Sequence, residues 1–521
     1  MAWVRKVRTA SGATAVQIAE SVAGKRRIVA HVGSAHTEAE LGILLEHARG
    51  LLGDPDQGAL DFATPPAPRT ARLVPAPTSQ LWRPPAVGAD ERDGAGRVVG
   101  TGSGTLAGAL EAIYDQLGFN TLGDDTFRDL VIARLVEPTS LRDVGRVLRD
   151  VDRTPPSEST LRRCLQRAAA NDYRGQIAAA CFARATRSGD VSLVLYDVTT
   201  LYFEAEDEDE LRKVGMSKVR RVDPQILVGM LVTTGGFPLE VHEFPGNTGE
   251  TLTLLPVLRS FQARHRVDDV VVVADAGMLS AANLNQLEDA GFSFIVGSRI
   301  SKAPYDLAEH FDAHGGVLHD GETMESKRVM GVRENARQRR VVYHYSAKRD
   351  RRDNHTLDKQ VEKAQKIADG KKPLRKDRFV KLTGTRPAVD QVLVDRARQL
   401  AGLKGYVTNI PALRLPGREV VAAYHDLFQV ERSFRMAKTD LRARPMFHHE
   451  ADSIHAHLTI VFTALAISRH LQEATGYSIR KIIRTLRPLR DVTISIGGNE
   501  ITATTPPSPH AADILVAIAG H

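Results

Sequence analysis

An ionisable side chain set inside a long run of strand-forming residues constrains this chain more than any other feature. Residues 191–204 read VSLVLYDVTTLYFE, with Asp197 flanked by Val191 to Tyr196 on one side and by Val198 to Phe203 on the other. Strong β formers on both sides predict one long strand, and the lack of clean apolar–polar alternation predicts burial on both faces, the habit of a strand in an α/β sheet. A carboxylate in that setting is costly unless it is paired, hydrogen-bonded or bound to a cation. For one isolated acid, a hydrogen bond to a neighbouring loop explains the placement as well as a cation does. The chain repeats the arrangement, however: residues 269–275 read DVVVVAD and end a second apolar strand on Asp275.

The elements around these acids follow a readable order. Residues 226–233 and 237–244 are strand-like and flank Thr234-Gly235-Gly236, a hairpin signal. A helical pattern at 251–264 leads to the second acid, and a helix at 281–290 and a strand at 292–297 follow it. Three antiparallel strands, helix, strand, helix, strand, with acids on the first and fourth strands, is the order of a ribonuclease-H-like α/β core.

A third acid comes from a helix. The pattern predicts one helix from Arg418 to about Arg444, halted by Pro445, with Leu427, Val430, Phe434, Ala437 and Leu441 as the stripe that packs on the sheet. Glu431 lies on the flank of that stripe, and Tyr424, Arg435 and Lys438 fall on its side; Asp440, Asp426 and Glu419 point elsewhere. Asp197, Asp275 and Glu431, on two strands and a helix, make the oxygen-only donor set that two Mg²⁺ ions require. Such ions, about 3.5–4 Å apart, favour both the attacking and the leaving oxygen of a phosphoryl transfer.

The remaining chain sorts by composition. With 521 residues, 42% apolar and 26% charged, it is a soluble globular protein of several domains. Residues 1–52 predict a small β-meander followed by a helix at 37–52. Residues 53–106, with eight prolines from Pro55 to Pro85 and a Gly-rich end, predict a linker. Residues 107–187 are helical. There Ser140-Leu-Arg-Asp143 and Pro155-Pro156-Ser157 open two short helices, the second, at 158–170, carrying Arg162, Arg163 and Arg167. The pair suits either a helix-turn-helix reading DNA or a plain helical subdomain. The ribonuclease-H-like core spans 188–299, yields to a large insertion at 300–410 and resumes at 411–474 with the Glu431 helix. An apolar helix at 454–472 follows, and the C-terminal region, 475–521, holds a hairpin at 492–504.

Charge points to a polyanion. Residues 327–386 hold 20 Lys and Arg against 7 Asp and Glu, a balance of +13, where the whole chain carries +7. A block so lopsided predicts contact with nucleic-acid phosphates, and its few aromatics argue against base stacking. Lys218, Arg220 and Arg221, in a loop after the acidic run 204–210, either clamp DNA or balance those acids. His448-His449 lacks the spacing of a metal pair and reads as loop histidines. Two cysteines, Cys164 and Cys181, exclude a disulfide framework and a four-cysteine zinc site and fit a reducing cytosol. The start has no apolar stretch of the signal-peptide kind, and the apolar run at 458–467 is about half a membrane span.

Taken together, YDVTTLYFE, FPGNTGE, VVADAGMLSAANL, YHDLFQVERSFRMAKTDLRARPMFHH and IHAHLTIVFTAL resemble the DDE transposases of bacterial insertion sequences. The likeness is to the subgroup with the signature Y-x-x-R-x-x-x-E-x-x-x-x-x-x-K. The resemblance implies that Asp197, Asp275 and Glu431 hold two Mg²⁺ (or Mn²⁺) ions and that Tyr424 and Lys438 contact DNA phosphate. The signature Arg position is Leu427 here, so its cationic role must fall to Arg432, Arg435 or a basic residue elsewhere; Ala276 stands where an Arg often follows the Asp. The implied partners are terminal inverted repeats and target DNA, with a homodimer on paired ends, no membrane and no small-molecule cofactor. The implied location is the bacterial cytoplasm, at the nucleoid. The expected activity is cleavage at element ends followed by strand transfer. A ribonuclease-H-like nuclease without strand transfer and a catalytically silent DNA-binding derivative are the alternatives.

Overall fold

The computed structural model describes residues 2–8, 14–22, 25–35 and 97–520, apart from 190, 205–206, 216–222, 279, 299, 301–302, 316, 374–376, 384–385, 445, 447, 449 and 497–498. The chain divides into two compact units, Met1–Ala86 and Val87–His521. In the first unit, β1 (Ala2–Arg8), β2 (Thr14–Val22) and β3 (Lys25–Ala35) form an antiparallel sheet in chain order. This is the expected meander, with Ala15, Val16, Ile18 and Ala19 of the central strand buried. The helix expected at 37–52 and most of the expected linker lie outside the described residues, as do Lys218, Arg220, Arg221 and His449.

The second unit opens with β4 (Arg97–Gly102). The sequence suggested linker there because RVVGTG is short and glycine-rich. It forms a strand because β15 (Asp491–Ile496), itself paired with β16 (Asn499–Thr504), offers it an edge. Five helices follow: α1 (Gly104–Gln116), α2 (Asp125–Val136), α3 (Val144–Asp150), α4 (Glu158–Ala170) and α5 (Tyr173–Ser188). Local chemistry sets their starts. The carboxylates of Asp124 and Asp172 and the hydroxyl of Ser157 accept from backbone N–H groups of the first turns of α2, α5 and α4, satisfying donors that a helix start leaves unpaired. Helix α4 buries Leu161, Cys164, Leu165 and Ala168, and its Arg167 is tied to Asp124 at 2.7 Å.

The main sheet has eight strands in the order β10-β11-β14-β9-β8-β5-β6-β7. Strand β5 (Leu193–Tyr202) runs antiparallel to β6 (Gln225–Thr233), which pairs with β7 (Pro238–Pro245). After α6 (Leu254–His265), β8 (Val271–Ala274) lies parallel to β5; after α7 (Ala281–Asp289), β9 (Ser293–Ser298) lies parallel to β8. The element order expected from the sequence is therefore present. Tyr196 shows how tightly the centre packs: its hydroxyl donates to Thr253 Oγ1 at 2.9 Å. A Cβ on Gly229 of β6 would come within 2.3 Å of that hydroxyl, so only glycine fits beneath it.

The 300–410 segment extends this sheet. Following α8 (Ala303–Asp306) and α9 (Ala308–His314), β10 (Thr323–Met330), β11 (Arg337–Tyr345) and β14 (Leu403–Thr408) add antiparallel to β9. Between β11 and β14, α10 (Ala347–Ala368), the ribbon β12 (Val380–Thr383)–β13 (Arg386–Val389) and α11 (Gln391–Gln399) enclose a small core with Leu357, Ala364 and Phe379. Part of the basic block is already paired within the fold, four of its arginines with acids that lie outside it. Arg328 pairs with Asp306, Arg337 with Glu288 and Asp289, Arg339 with Glu288, Arg340 with Glu325, and Lys363 with Asp377. The sequence count of +13 thus overstates the charge offered to a partner.

The helix expected from 418 to 444 is two helices, α12 (Gly417–His425) and α13 (Phe428–Thr439). At the break the ladder tightens to i→i−3, from Leu427 N–H to the Tyr424 carbonyl and from Val430 N–H to that of Leu427 (both 3.2 Å). The apolar stripe survives this turn, with Leu427, Val430, Phe434, Ala437 and Leu441 all buried, which is why periodicity alone did not register it. Helix α13 lies on β5 and β6. Helix α14 (Ala451–Thr475) is long and apolar enough to cross a membrane; in this fold α2, α4, α5 and β7 pack around it. Its buried Thr459, Thr463 and Ser468 hydroxyls donate to carbonyls one turn back. Helices α15 (Ile479–Leu486) and α16 (Pro509–Ala519) flank the β15–β16 hairpin.

Candidate active site

The position of the two aspartates follows from strand register. The parallel ladder of β5 on β8 runs to Tyr196 opposite Ala274, so Asp197 and Asp275 are the next residue on each strand. Adjacent strands lie about 4.8 Å apart, which sets the two carboxylates side by side where β8 ends. Asp197 is half-buried and Asp275 exposed. Strand β8 stops there because the chain turns into a short 3₁₀ segment, Ala276–Met278.

Tyr424 reaches this pair from α12. Its side chain is 4% exposed, and its hydroxyl donates to Asp275 Oδ1 at 2.7 Å. A Cβ on Gly297 of β9 would lie 2.6 Å from that hydroxyl, so the bond needs glycine at this point of the neighbouring strand. Burial first, then the hydrogen bond to Asp275 and the charges of Asp275 and Asp197, push the phenol well above its ordinary pKa. It remains a donor at neutral pH.

Lys404 of β14 is a part of the site that sequence reasoning missed. Its Nζ lies 4.3 Å from the centre of the Tyr424 ring, a cation–π distance, and Tyr424 in turn packs on Tyr406 with ring centres 4.8 Å apart. Burial and the neighbouring Arg349 charge lower the Lys404 pKa, while Asp275 and Glu431 act in the opposite direction. Lys404 therefore feels the charge of both acids. His425 and His344, their rings 5.9 Å apart, adjoin this group. Both are pushed below the ordinary histidine value, by burial first, with Lys404 contributing at His425 and His425 at His344. The available signal was a lone lysine in the strand LKGYVT, with Tyr406 on the same face.

Glu431 is exposed on α13. Lys438, two turns further along the same helix face, donates from Nζ to the hydroxyl of Thr199, which shares a face of β5 with Asp197. Leu427 is 8% exposed, packed as the stripe required. Arg435 and Arg432 are exposed on α13; Arg432 lines a separate cleft of about 560 Å³ with Arg184, Arg469 and Glu473. Carboxylate oxygens on an accessible sheet end suit a hard cation. Among the described residues no three His, Cys, Asp or Glu side chains converge tightly enough to form a closed metal cage; Asp197 and Asp275 are neighbours by register, and Glu431 comes from α13.

Residues 190–467, more than half of the chain and the stretch holding all three acids, match the Transposase DDE domain family. The chain belongs to that family. Comparison with curated proteins gives no match. Among solved structures, the transposase is similar to the piggyBac transposase in its synaptic complex with hairpin DNA, seen by cryo-EM. That match covers 69% of each chain at 11% identity and a TM-score of 0.35, too slight a likeness to carry detail. In this transposase the matched stretch includes β14 with Lys404, α12 with Tyr424 and most of α14.

Proposed function

We propose that this transposase cuts and joins DNA by metal-assisted phosphoryl transfer on a ribonuclease-H-like core, with Asp197, Asp275 and Glu431 holding two Mg²⁺ or Mn²⁺ ions. The observation that carries the reading is the register of β5 on β8, which brings Asp197 and Asp275 together inside the family-matched stretch. The strand order β7-β6-β5-β8-β9 supports the same reading. When bound, the cations supply charge stabilisation at the attacking and leaving oxygens. Tyr424 fixes one oxygen of Asp275 and leaves the other available as a ligand. Lys404 stands where a phosphate approaching the acids would meet positive charge, the role the signature arginine cannot play with Leu427 in its place. Lys438, braced on Thr199, adds a second cation on the α13 side.

In the first step a water oxygen bonds to phosphorus at the element's end, the P–O3′ bond breaks, and the departing 3′ oxygen takes up a proton. In the second, that 3′ hydroxyl bonds to a target phosphorus and displaces another 3′ oxygen. Each step exchanges one P–O bond for another. Incubating the purified full chain with end-bearing duplexes and a target plasmid tests the reading. Nicked ends with 3′ hydroxyls and joined products are expected with Mg²⁺, and neither with chelator. Nicks without joining would make it a nuclease, and binding without nicks a silent derivative.

A further inference from the structure

Away from the acids lies a cleft of about 720 Å³ lined by Arg134, Arg142, Arg162, Arg442, Arg444 and His448, with no aspartate or glutamate among its lining residues. It is built from α2, the turn before α3, α4, α14 and the segment that follows α13. Arg162 pairs at its rim with Glu158 at 2.7 Å, both side chains solvated. Arg134, deeper in, has as its neighbour His457 Nδ1 at 3.5 Å. Burial and the nearby Arg442 charge push the Arg134 guanidinium down to about 10, and burial holds His457 far below its ordinary value, hence neutral. Glu158 offsets charge at the rim, beside Arg162 and Arg142, but the like charges that line the interior of the cleft repel one another, and a bound anion relieves that cost.

Two further observations bear on what the anion is. Arg442 sits at φ +45°, a left-handed backbone where glycine is favoured, so an arginine is kept there against local preference. Arg444 lies 5.4 Å over the ring of Tyr202, and the adjoining Met446 bridges Phe203 in parallel. The cleft is thereby fastened to the far end of β5. Tyr202 is five residues from Asp197, about 16 Å along a strand or about five base pairs of duplex.

We propose that this arginine-lined cleft grips backbone phosphates of DNA roughly five base pairs from the bond at the acids. The inference rests on the reading of the carboxylates as the cutting site. Guanidinium groups from four separate segments, with no aspartate or glutamate in the lining to accept from a base amino group, suit phosphate rather than base edges, so the grip is independent of sequence.

The test is binding by the full chain carrying Arg142→Gln and Arg442→Gln, both exposed positions. The control is Arg187→Gln with Arg259→Gln, an equal loss of charge elsewhere. Thermal melts establish that each protein is folded. On end duplexes extending ten base pairs or more to both sides of the cut, the cleft variant should flatten the log–log salt dependence of binding by about 1.8, at about 0.9 per lost contact. The control should not. On duplexes trimmed to two base pairs beyond the cut, from one side or the other, one trimming should abolish the difference. Equal slopes for parent and cleft variant on the long duplex overturn the proposal. So does a melting temperature raised by inorganic phosphate in the parent alone with DNA slopes unchanged, which would make it a free-phosphate site. Because the readout is binding, a changed slope in a protein that cuts nothing would uphold the cleft while removing the cutting site, and normal cutting with an unchanged slope the reverse.

Discussion

On the edge strand β7, Glu240 is closed in by Arg264 (2.8 Å) and His242 (3.3 Å), and Glu243 by Arg174 and His455 (2.9 Å). Where β8 ends beside the middle of β5, Asp275 accepts from a phenol hydroxyl, and the charges of Asp275 and Glu431 both act to raise the pKa of Lys404. One sheet thus carries two kinds of acid. Those on β7 are saturated by guanidinium and imidazole and pin α5, α6 and α14 to the sheet. Those at the centre are reached by solvent, Asp197 in part and Asp275 openly, and are the ones proposed to hold cations. Charge already compensated inside the fold holds structure, whereas charge left half-compensated at a sheet end is available to ligands.

The sharpest way to break this comparison is to remove the central acids. Asp197→Ala, Asp275→Ala and Glu431→Ala should each lower Mg²⁺-dependent cleavage by about 10³-fold or more, the several kcal/mol a metal ligand contributes. Melting temperature and DNA binding should stay near those of the parent. Assaying cleavage and thermal unfolding on the same preparations checks it, and a variant that unfolds early yet still cuts would put that acid in the structural class.

Glu243→Gln should do the opposite. It leaves Arg174 in partly buried surroundings without its countercharge, a loss of about 3 kcal/mol, read as a lower unfolding midpoint with cleavage per folded molecule unchanged. A pH series sharpens the point. Burial alone would raise the Glu243 pKa, but Arg174 and His455 outweigh it and hold the value at about 2. A depressed folded pKa means that the unfolded chain binds the proton more readily. The contribution is therefore fully present above about pH 4.5 and is lost as pH falls toward 2. Denaturant midpoints of parent and variant should converge over that interval, and a constant gap would show that Glu243 is not the titrating group.

Lys404→Met tests the intermediate case. It should reduce cleavage by about 10–100-fold, the loss of one cation at the reacting phosphate, with Lys404→Arg restoring part of it. A fall in stability with no change in cleavage would move Lys404 to the structural side. Smallest is Tyr424→Phe, which deletes one hydrogen bond of about 1 kcal/mol. Cleavage should fall less than tenfold, and the Mg²⁺ concentration for half-maximal rate should change as Asp275 loses its tether; an unmoved Mg²⁺ titration would exclude a positioning role.

Much of this was readable from short-range pattern. The strand around Asp197, the β6–β7 hairpin and helix α4 follow from residues within about a dozen positions of one another, and the structure places them where periodicity and caps indicate. The proximity of Asp197 to Asp275 depends on a register that sequence only implies through element order. Lys404 was invisible because it enters the site by addition of β14 to β9 after more than a hundred intervening residues. The basic block misled for a related reason: the partners of Arg328, Arg337 and Arg339 are Asp306, Glu288 and Asp289, acids that precede the block. The arginine cleft went unnoticed since its members come from four separated segments; the helix of Arg162 drew notice for its own arginines, but nothing in the sequence joined it to Arg134, Arg142, Arg442 and Arg444.

The pairing of β4 with β15 has a consequence in time. The Ser103 hydroxyl is shared by the carbonyls of Leu486 and Leu489 (3.2 and 3.1 Å), 383 and 386 residues later in the chain, and Asp150 is bonded by Arg487 and Arg490 at 2.7 Å. At the usual pace of synthesis, about 5–20 residues per second, β4 waits roughly 20–80 s on the ribosome before its partner emerges. During that interval the sheet of the acids can assemble while the strand at its start still has an open edge. The second unit is therefore completed last at its first strand, and a polypeptide cut short before residue 491 would hold the three acids but lack the partner of β4.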